Sequence, residues 1–132
     1  MYLQKNHIEN RKHPRVNKRI PFKLETENSS IVAKTINLSC IGAYCMASKP
    51  IPFMTNLKIA FTLPDYEHEK GTKHVECNGV VVRVEKEVSK AKAHNAYNIA
   101  IFFSEIEKSE KEKIATFIEM HMERSWKMSY HR

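Results

Sequence analysis

The chain has 132 residues, 42% of them hydrophobic and 28% charged, with a formal net charge of +7. That length suits one compact domain rather than two, and the apolar fraction excludes a disordered chain. The basic excess is concentrated. Residues 1–23 carry seven basic side chains against the single acid Glu9, while the 15 basic and 14 acidic residues that follow nearly cancel. A localised anion site fits this better than a basic face along a polymer.

Residues 1–18 are polar and basic, with no apolar periodicity, and are predicted to form a flexible arm stiffened at His13-Pro14. From residue 19 to the C-terminus the chain is predicted to be one folded unit. Ile20, Phe22 and Leu24 alternate with polar neighbours, the period-two pattern of a half-buried strand. A polar turn at Glu27–Ser30 leads to a second strand, Ile31–Ile36. After the segment Asn37–Gly42 comes a short third strand, Ala43–Met46, then the loop Ser48–Pro52. Leu57, Ile59, Phe61 and Leu63 give the clearest alternation, ended by Pro64-Asp65.

The next strand begins near Lys73 and changes parity: Val75 and Cys77 are odd, Val80, Val82 and Val84 even. A β-bulge at Asn78-Gly79 produces that shift, and so does an Asn-Gly hairpin; the local pattern leaves both open. A charged, Ala-rich loop, Glu85–Ala93, precedes a last strand from Ala96 to Phe103. Only the tail has helical spacing, over about 109–126. Ser109 and Glu112 fit a capping box, and Ile114, Phe117, Ile118, His121 and Met122 form a stripe that Trp126 extends. The sum is mainly β: six strands and one C-terminal helix.

Two constellations carry chemistry. In Arg11-Lys12-His13-Pro14-Arg15, two guanidiniums four residues apart can close on a compact dianion, since the planar fork grips phosphate or a guanine edge and the face stacks on a base. In Asn37-Leu38-Ser39-Cys40-Ile41-Gly42, an extended backbone would put the Asn37 amide and the Ser39 hydroxyl on one side. Gly42 would leave room for a ring or supply a positive φ. Each is weak alone, because basic tails and Asn/Ser/Gly turns arise for local reasons.

In combination, the order and spacing of these segments resemble the PilZ domain, the bacterial receptor module for cyclic di-GMP. Its RxxxR arm is matched by Arg11 and Arg15, and its [D/N]xSxxG turn by Asn37, Ser39 and Gly42. Gly79–Arg83 and Tyr97–Phe102 are similar to the family's later strands. The resemblance implies a six-stranded antiparallel β-barrel with an N-terminal arm and a C-terminal helix, and it favours one bulged strand over a hairpin at Asn78-Gly79. It also implies a cytoplasmic, non-catalytic adaptor that binds cyclic di-GMP and meets a protein partner. The implied contacts are Arg11, Arg15, Asn37, Ser39 and Gly42, with Asn10, Lys12 and Arg83 as further candidates. Asn10 departs from the pattern, since many relatives carry another arginine there.

The rival readings are a nucleic-acid-binding β-barrel and a PilZ-like scaffold that no longer binds nucleotide. Scattered aromatics and a near-neutral body count against the first, and the intact motif residues against the second. The histidines have no metal-site spacing, no glycine-rich phosphate loop is present, and no stretch has the length of a membrane span. Three cysteines, Cys40, Cys45 and Cys77, suggest small packing residues in a reducing compartment rather than disulfides or nucleophiles. No cofactor or metal is expected.

Overall fold

The computed structural model describes residues 13–68, 71–87 and 96–130. Six antiparallel strands close into a barrel in the order β1-β2-β3-β6-β5-β4. They are β1 (Pro21–Glu25), β2 (Ser30–Leu38), β3 (Gly42–Ala47), β4 (Asn56–Asp65), β5 (Gly71–Glu87) and β6 (Ala96–Glu105). One helix, α1 (Lys108–Tyr130), follows. The expected fold class and element order are both present.

Alternation does the work the sequence assigns to it. Phe22 and Leu24 of β1 and Leu57, Ile59, Phe61 and Leu63 of β4 all point into the barrel and are buried. The seam that closes the barrel is short, with Lys23–Glu25 of β1 paired against Lys58–Ala60 of β4. It is reinforced from inside by the Phe22 and Phe61 rings, stacked with centroids 4.1 Å apart. Such an aromatic pair adds about 1 kcal/mol beyond the area it buries. β4 continues through Pro64, where the sequence suggests a stop. Beyond Ala60 it is paired on the β5 side, against Thr72 for Pro64, the edge-like setting that tolerates proline.

β5 is one long strand, so the hairpin reading of Asn78-Gly79 is set aside. The register against β6 does shift between Asn78 and Val80, where the sequence allows a bulge, but the parity change along β5 lies further on. Val75, Gly79 and Val81 are all buried, so the odd positions face inward past Asn78-Gly79. The register against β6 then shifts between Val81 and Arg83, leaving Val82 as an extra residue that turns outward. A comparable shift between Thr35 and Asn37 inserts Ile36 into β2, after which Leu38 rather than Asn37 faces the core.

Packing against β6 requires a glycine at 42, and no turn conformation is involved. No glycine in the described residues has a positive φ. A Cβ on Gly42 would sit 2.2 Å from the backbone carbonyl oxygen of Ile101, on the neighbouring strand β6. Only a bare Cα fits there.

α1 docks across β4 and β5 with Ile114, Phe117 and Ile118 buried. It starts one residue before Ser109: the Lys111 N–H donates to the Glu107 carbonyl (2.9 Å), so Glu107 occupies the capping position expected of Ser109. Glu110 accepts the Glu76 N–H (2.9 Å), and Lys113 donates to the His74 carbonyl (2.9 Å), tying the first turns to β5. The stripe fades at its end, since Trp126 is 57% exposed. Near that end Tyr66 stacks on Phe117 (5.7 Å), and its hydroxyl lies 3.2 Å from His121 Nδ1 and 3.4 Å from Lys18 Nζ. The leader, the barrel and the helix thus meet at one tyrosine.

Two consequences are measurable. Gly42→Ala must push β3 from β6, an overpacking cost of about 1–3 kcal/mol. A lowered melting temperature is expected, and an unchanged one would show that the backbone yields freely. His121 is held below its usual pKa of 6.5 by burial first, then by Lys18 and Arg124. The folded protein therefore binds fewer protons there than the unfolded chain. The stability this site contributes is full above pH 6.5 and is lost as the pH falls through the lower folded value. His121→Gln should reduce the fall in urea midpoint between about pH 7.5 and 5.5 relative to wild type. An equal fall in both proteins would remove His121 from the account.

Candidate functional site

Among the described residues, the leader is fastened to the barrel first at Val16. Val16 is the apolar residue in an otherwise polar segment, and it is 2% exposed. Its N–H donates to the Leu38 carbonyl and its carbonyl accepts from the Leu38 N–H, both at 2.9 Å. Thr35 adds a second anchor: its hydroxyl donates to the Lys18 carbonyl, and it accepts the Ile20 N–H at 2.8 Å. Burial of Val16 and these ladder bonds carry Arg15 to the outer edge of β2. There its Nη1 lies 3.5 Å from Asn37 Oδ1.

Asn10, Arg11 and Lys12 lie outside the described residues. Arg15 and Asn37 are brought together and are accessible. Ser39 is placed differently from the sequence expectation. It is 2% exposed, and its hydroxyl accepts the Ile41 N–H and faces the Gly42 carbonyl, each at 3.2 Å. Asn37 and Ser39 do not share one extended face, because β2 runs to Leu38 and the chain turns only at Ser39–Ile41. The Ser39 hydroxyl holds the turn in shape, and the Phe103 N–H pins the turn to β6 through the Ile41 carbonyl (2.8 Å).

Beyond Asn37, a row of outward side chains crosses the barrel wall. Asn37 pairs with Tyr44, Tyr44 with Ala100, and Ala100 with Arg83. Three interstrand steps span about 14 Å. The small Ala100 side chain leaves Tyr44 room to lie across β6. Its hydroxyl donates to Glu85 Oε1 (2.8 Å), and the Arg83 guanidinium carbon sits 5.6 Å from its ring centre. Arg83 Nε is 3.9 Å from the same Glu85 oxygen. Burial, and next the Glu85 carboxylate, push the Tyr44 hydroxyl above its usual pKa, so it stays a donor at neutral pH. Asn98, opposite Glu85 in the ladder, has a buried Oδ1 with no hydrogen-bond partner. Arg83 is thus on the same face as Arg15. Sequence reading missed Val16, Tyr44, Glu85 and Asn98; the apolar Val16 within a basic leader was the one local signal available.

Other features of the molecule speak against alternative sites. Burial pushes the Cys45 and Cys77 thiols up to about 12. Cys40 is also raised, by burial, with Lys111 partly offsetting it. All three stay protonated and are poor nucleophiles. Among the described residues no group of three or more His, Cys, Asp or Glu side chains is arranged to hold a metal ion, and no helix is long and apolar enough to cross a membrane. A cleft of about 1220 Å³ opens at the β1–β2 hairpin, lined in part by Glu25, Glu27 and Glu105. Its carboxylates repel an anion.

Comparison with known proteins agrees with the fold. The family model described as the PilZ domain matches residues 9–120. No curated protein sequence matches the chain. Among solved structures, the barrel is similar to the inhibitor of motility MotI/DgrA of Bacillus subtilis, with TM-score 0.70 and 19% identity over 88% of this chain and 53% of that one. It is similar also to the PilZ domain of YcgR from Escherichia coli, solved with c-di-GMP (TM-score 0.65, 12% identity, 94% of this chain and 99% of that one). A third is the K. pneumonia MrkH–c-di-GMP complex (TM-score 0.67, 17% identity, 90% and 56%). The chain therefore spans about half the length of MotI and MrkH.

Ser39→Ala should loosen the turn by about 1 kcal/mol, the net worth of a hydrogen bond. Faster amide exchange at Ile41 is the expected readout. Protection equal to wild type would mean that the hydroxyl does not support the turn.

Proposed function

Because this chain belongs to the PilZ family, we propose that it is a non-catalytic receptor for cyclic di-GMP that acts as an adaptor on a protein partner. The observation that carries this reading is the Val16–Leu38 bridge, which sets Arg15 beside Asn37 on the outer barrel wall. Arginine presents several donors in a fork that suits phosphate oxygens and the O6/N7 edge of guanine, and the Asn37 amide adds a donor and an acceptor. Arg11, four residues upstream, closes on the ligand from the other side, and Lys12 and Asn10 lie next to it in the chain. Ser39 and Gly42 act chiefly by shaping the turn beneath the ligand. YcgR and MrkH, whose folds this chain shares, were solved with c-di-GMP.

In this reading the dianionic ligand draws the segment carrying Arg11 onto the barrel, and the altered surface is what a partner meets. A surface suited to that role adjoins the site. Val82, turned out by the bulge, and Phe102, two residues from Ala100 on β6, are both exposed. Met54 and Phe53 lie on the far side of β5, with Met54 hydrogen-bonded to Val81 and held at φ 71°. Strained backbone of this kind is enriched at functional positions. The reading places the protein in the cytoplasm, where the second messenger is made.

Calorimetric titration with cyclic di-GMP tests the proposal. Wild type should bind at tens of micromolar or tighter, and Arg15→Ala should lose about tenfold or more, the worth of charge-assisted hydrogen bonds. Absence of binding by the wild-type protein would overturn the receptor reading.

A further inference from the structure

The outer wall holds a second recognition element at the end of the row away from Arg15. Arginines can satisfy only the acceptor edge of guanine, O6 and N7, because a guanidinium has donors and no acceptor. The Watson–Crick edge of the same base also presents N1–H and the 2-amino group, and these need acceptors. Asn37 is an amide, so the carboxylate on this face is Glu85.

Its placement suits that task. Glu85 is half exposed, with 53% of its side chain accessible. It is held rather than loose: the Tyr44 hydroxyl donates to Oε1 at 2.8 Å, and Arg83 approaches the same oxygen at 3.9 Å. Both contacts fall on Oε1, and a carboxylate has about four lone-pair sites, so acceptor capacity remains on Oε2. The Tyr44 ring lies beside it, with the Arg83 guanidinium over the ring at 5.6 Å from its centre, within cation–π range. Aromatic ring, guanidinium and fixed carboxylate are neighbours on this part of the wall.

We infer that Glu85, positioned by Tyr44, reads the N1–H and 2-amino donors of one guanine, so that this end of the wall makes the site selective for guanine. The inference rests on the receptor reading above and deepens it. Arg15 serves the phosphates and the acceptor edge of the ligand at one end of the row, and Glu85 the donor edge at the other. A base lacking the 2-amino group loses one of the paired contacts, and each good bidentate pair discriminates by about tenfold or more.

The experiment compares cyclic di-GMP with cyclic di-IMP, which differs only by lacking the two 2-amino groups, on wild type, Glu85→Ala and Tyr44→Phe. Glu85 is exposed on a paired strand, and melting curves verify that each variant is folded. Wild type should prefer the guanine ligand by about tenfold, and Glu85→Ala should bring the two affinities within about threefold of each other. Tyr44→Phe keeps the ring but frees the carboxylate, and should reduce the preference partway. If Glu85→Ala binds and keeps the wild-type preference, the role given to Glu85 is overturned while the receptor reading stands. If wild type binds neither dinucleotide, both are overturned.

Discussion

Two backbone hydrogen bonds between Val16 and Leu38 fix where everything else at the site can be. A polar leader has no reason of its own to lie on a barrel. Val16 gives it one, by burying an isopropyl group, worth about 1.5–3 kcal/mol relative to exposure, in a position where the chain also completes a ladder at the end of β2. Arg15, next in sequence and on the opposite face of that local strand, is thereby directed outward and toward Asn37. Thr35 and Lys18 extend the attachment, and through Tyr66 it reaches α1. The leader is clamped at its base against the barrel wall.

Much of this was legible in the sequence. Strict alternation in β1 and β4 and the helical stripe from Ile114 to Met122 identified those elements, because each buries one face and exposes the other. The bulges were harder. Val80-Val81-Val82 is apolar throughout, so alternation carries no contrast there, and the parity change could be placed anywhere between Cys77 and Val84. Asn37 to Gly42 has turn-like composition, yet Asn37 and Leu38 remain in β2, paired with Tyr44 and Ala43 of β3, and Leu38 also pairs with Val16, more than twenty residues earlier. The reason for Gly42 is likewise distant, a carbonyl on β6.

The outer wall was the least visible part. Asn37, Tyr44, Ala100 and Arg83 come from four strands, and nothing in the spacing of those residues along the chain announces that they form a row. Only the register does. The bulge at Ile36 is what makes Asn37 face Tyr44, and the bulge at Val82 is what makes Arg83 face Ala100. Without either extra residue the corresponding side chain would turn toward the core, where neither an amide nor a guanidinium could stay unpaired. The irregularities at Ile36 and Val82 are thus the features that build its polar face.

The carboxylate-lined cleft at the β1–β2 hairpin has a role even if nothing binds in it. It sits at the far end of β2 from Leu38, eight residue steps or about 26 Å away. The basic leader is attached at the opposite end. Along β2 the charges are thus separated, with Glu25 and Glu27 near its hairpin end and Arg15 near its Leu38 end. Such a separation would turn an approaching anion toward Arg15 before contact, an advantage that is greatest in dilute salt and fades as ionic strength rises.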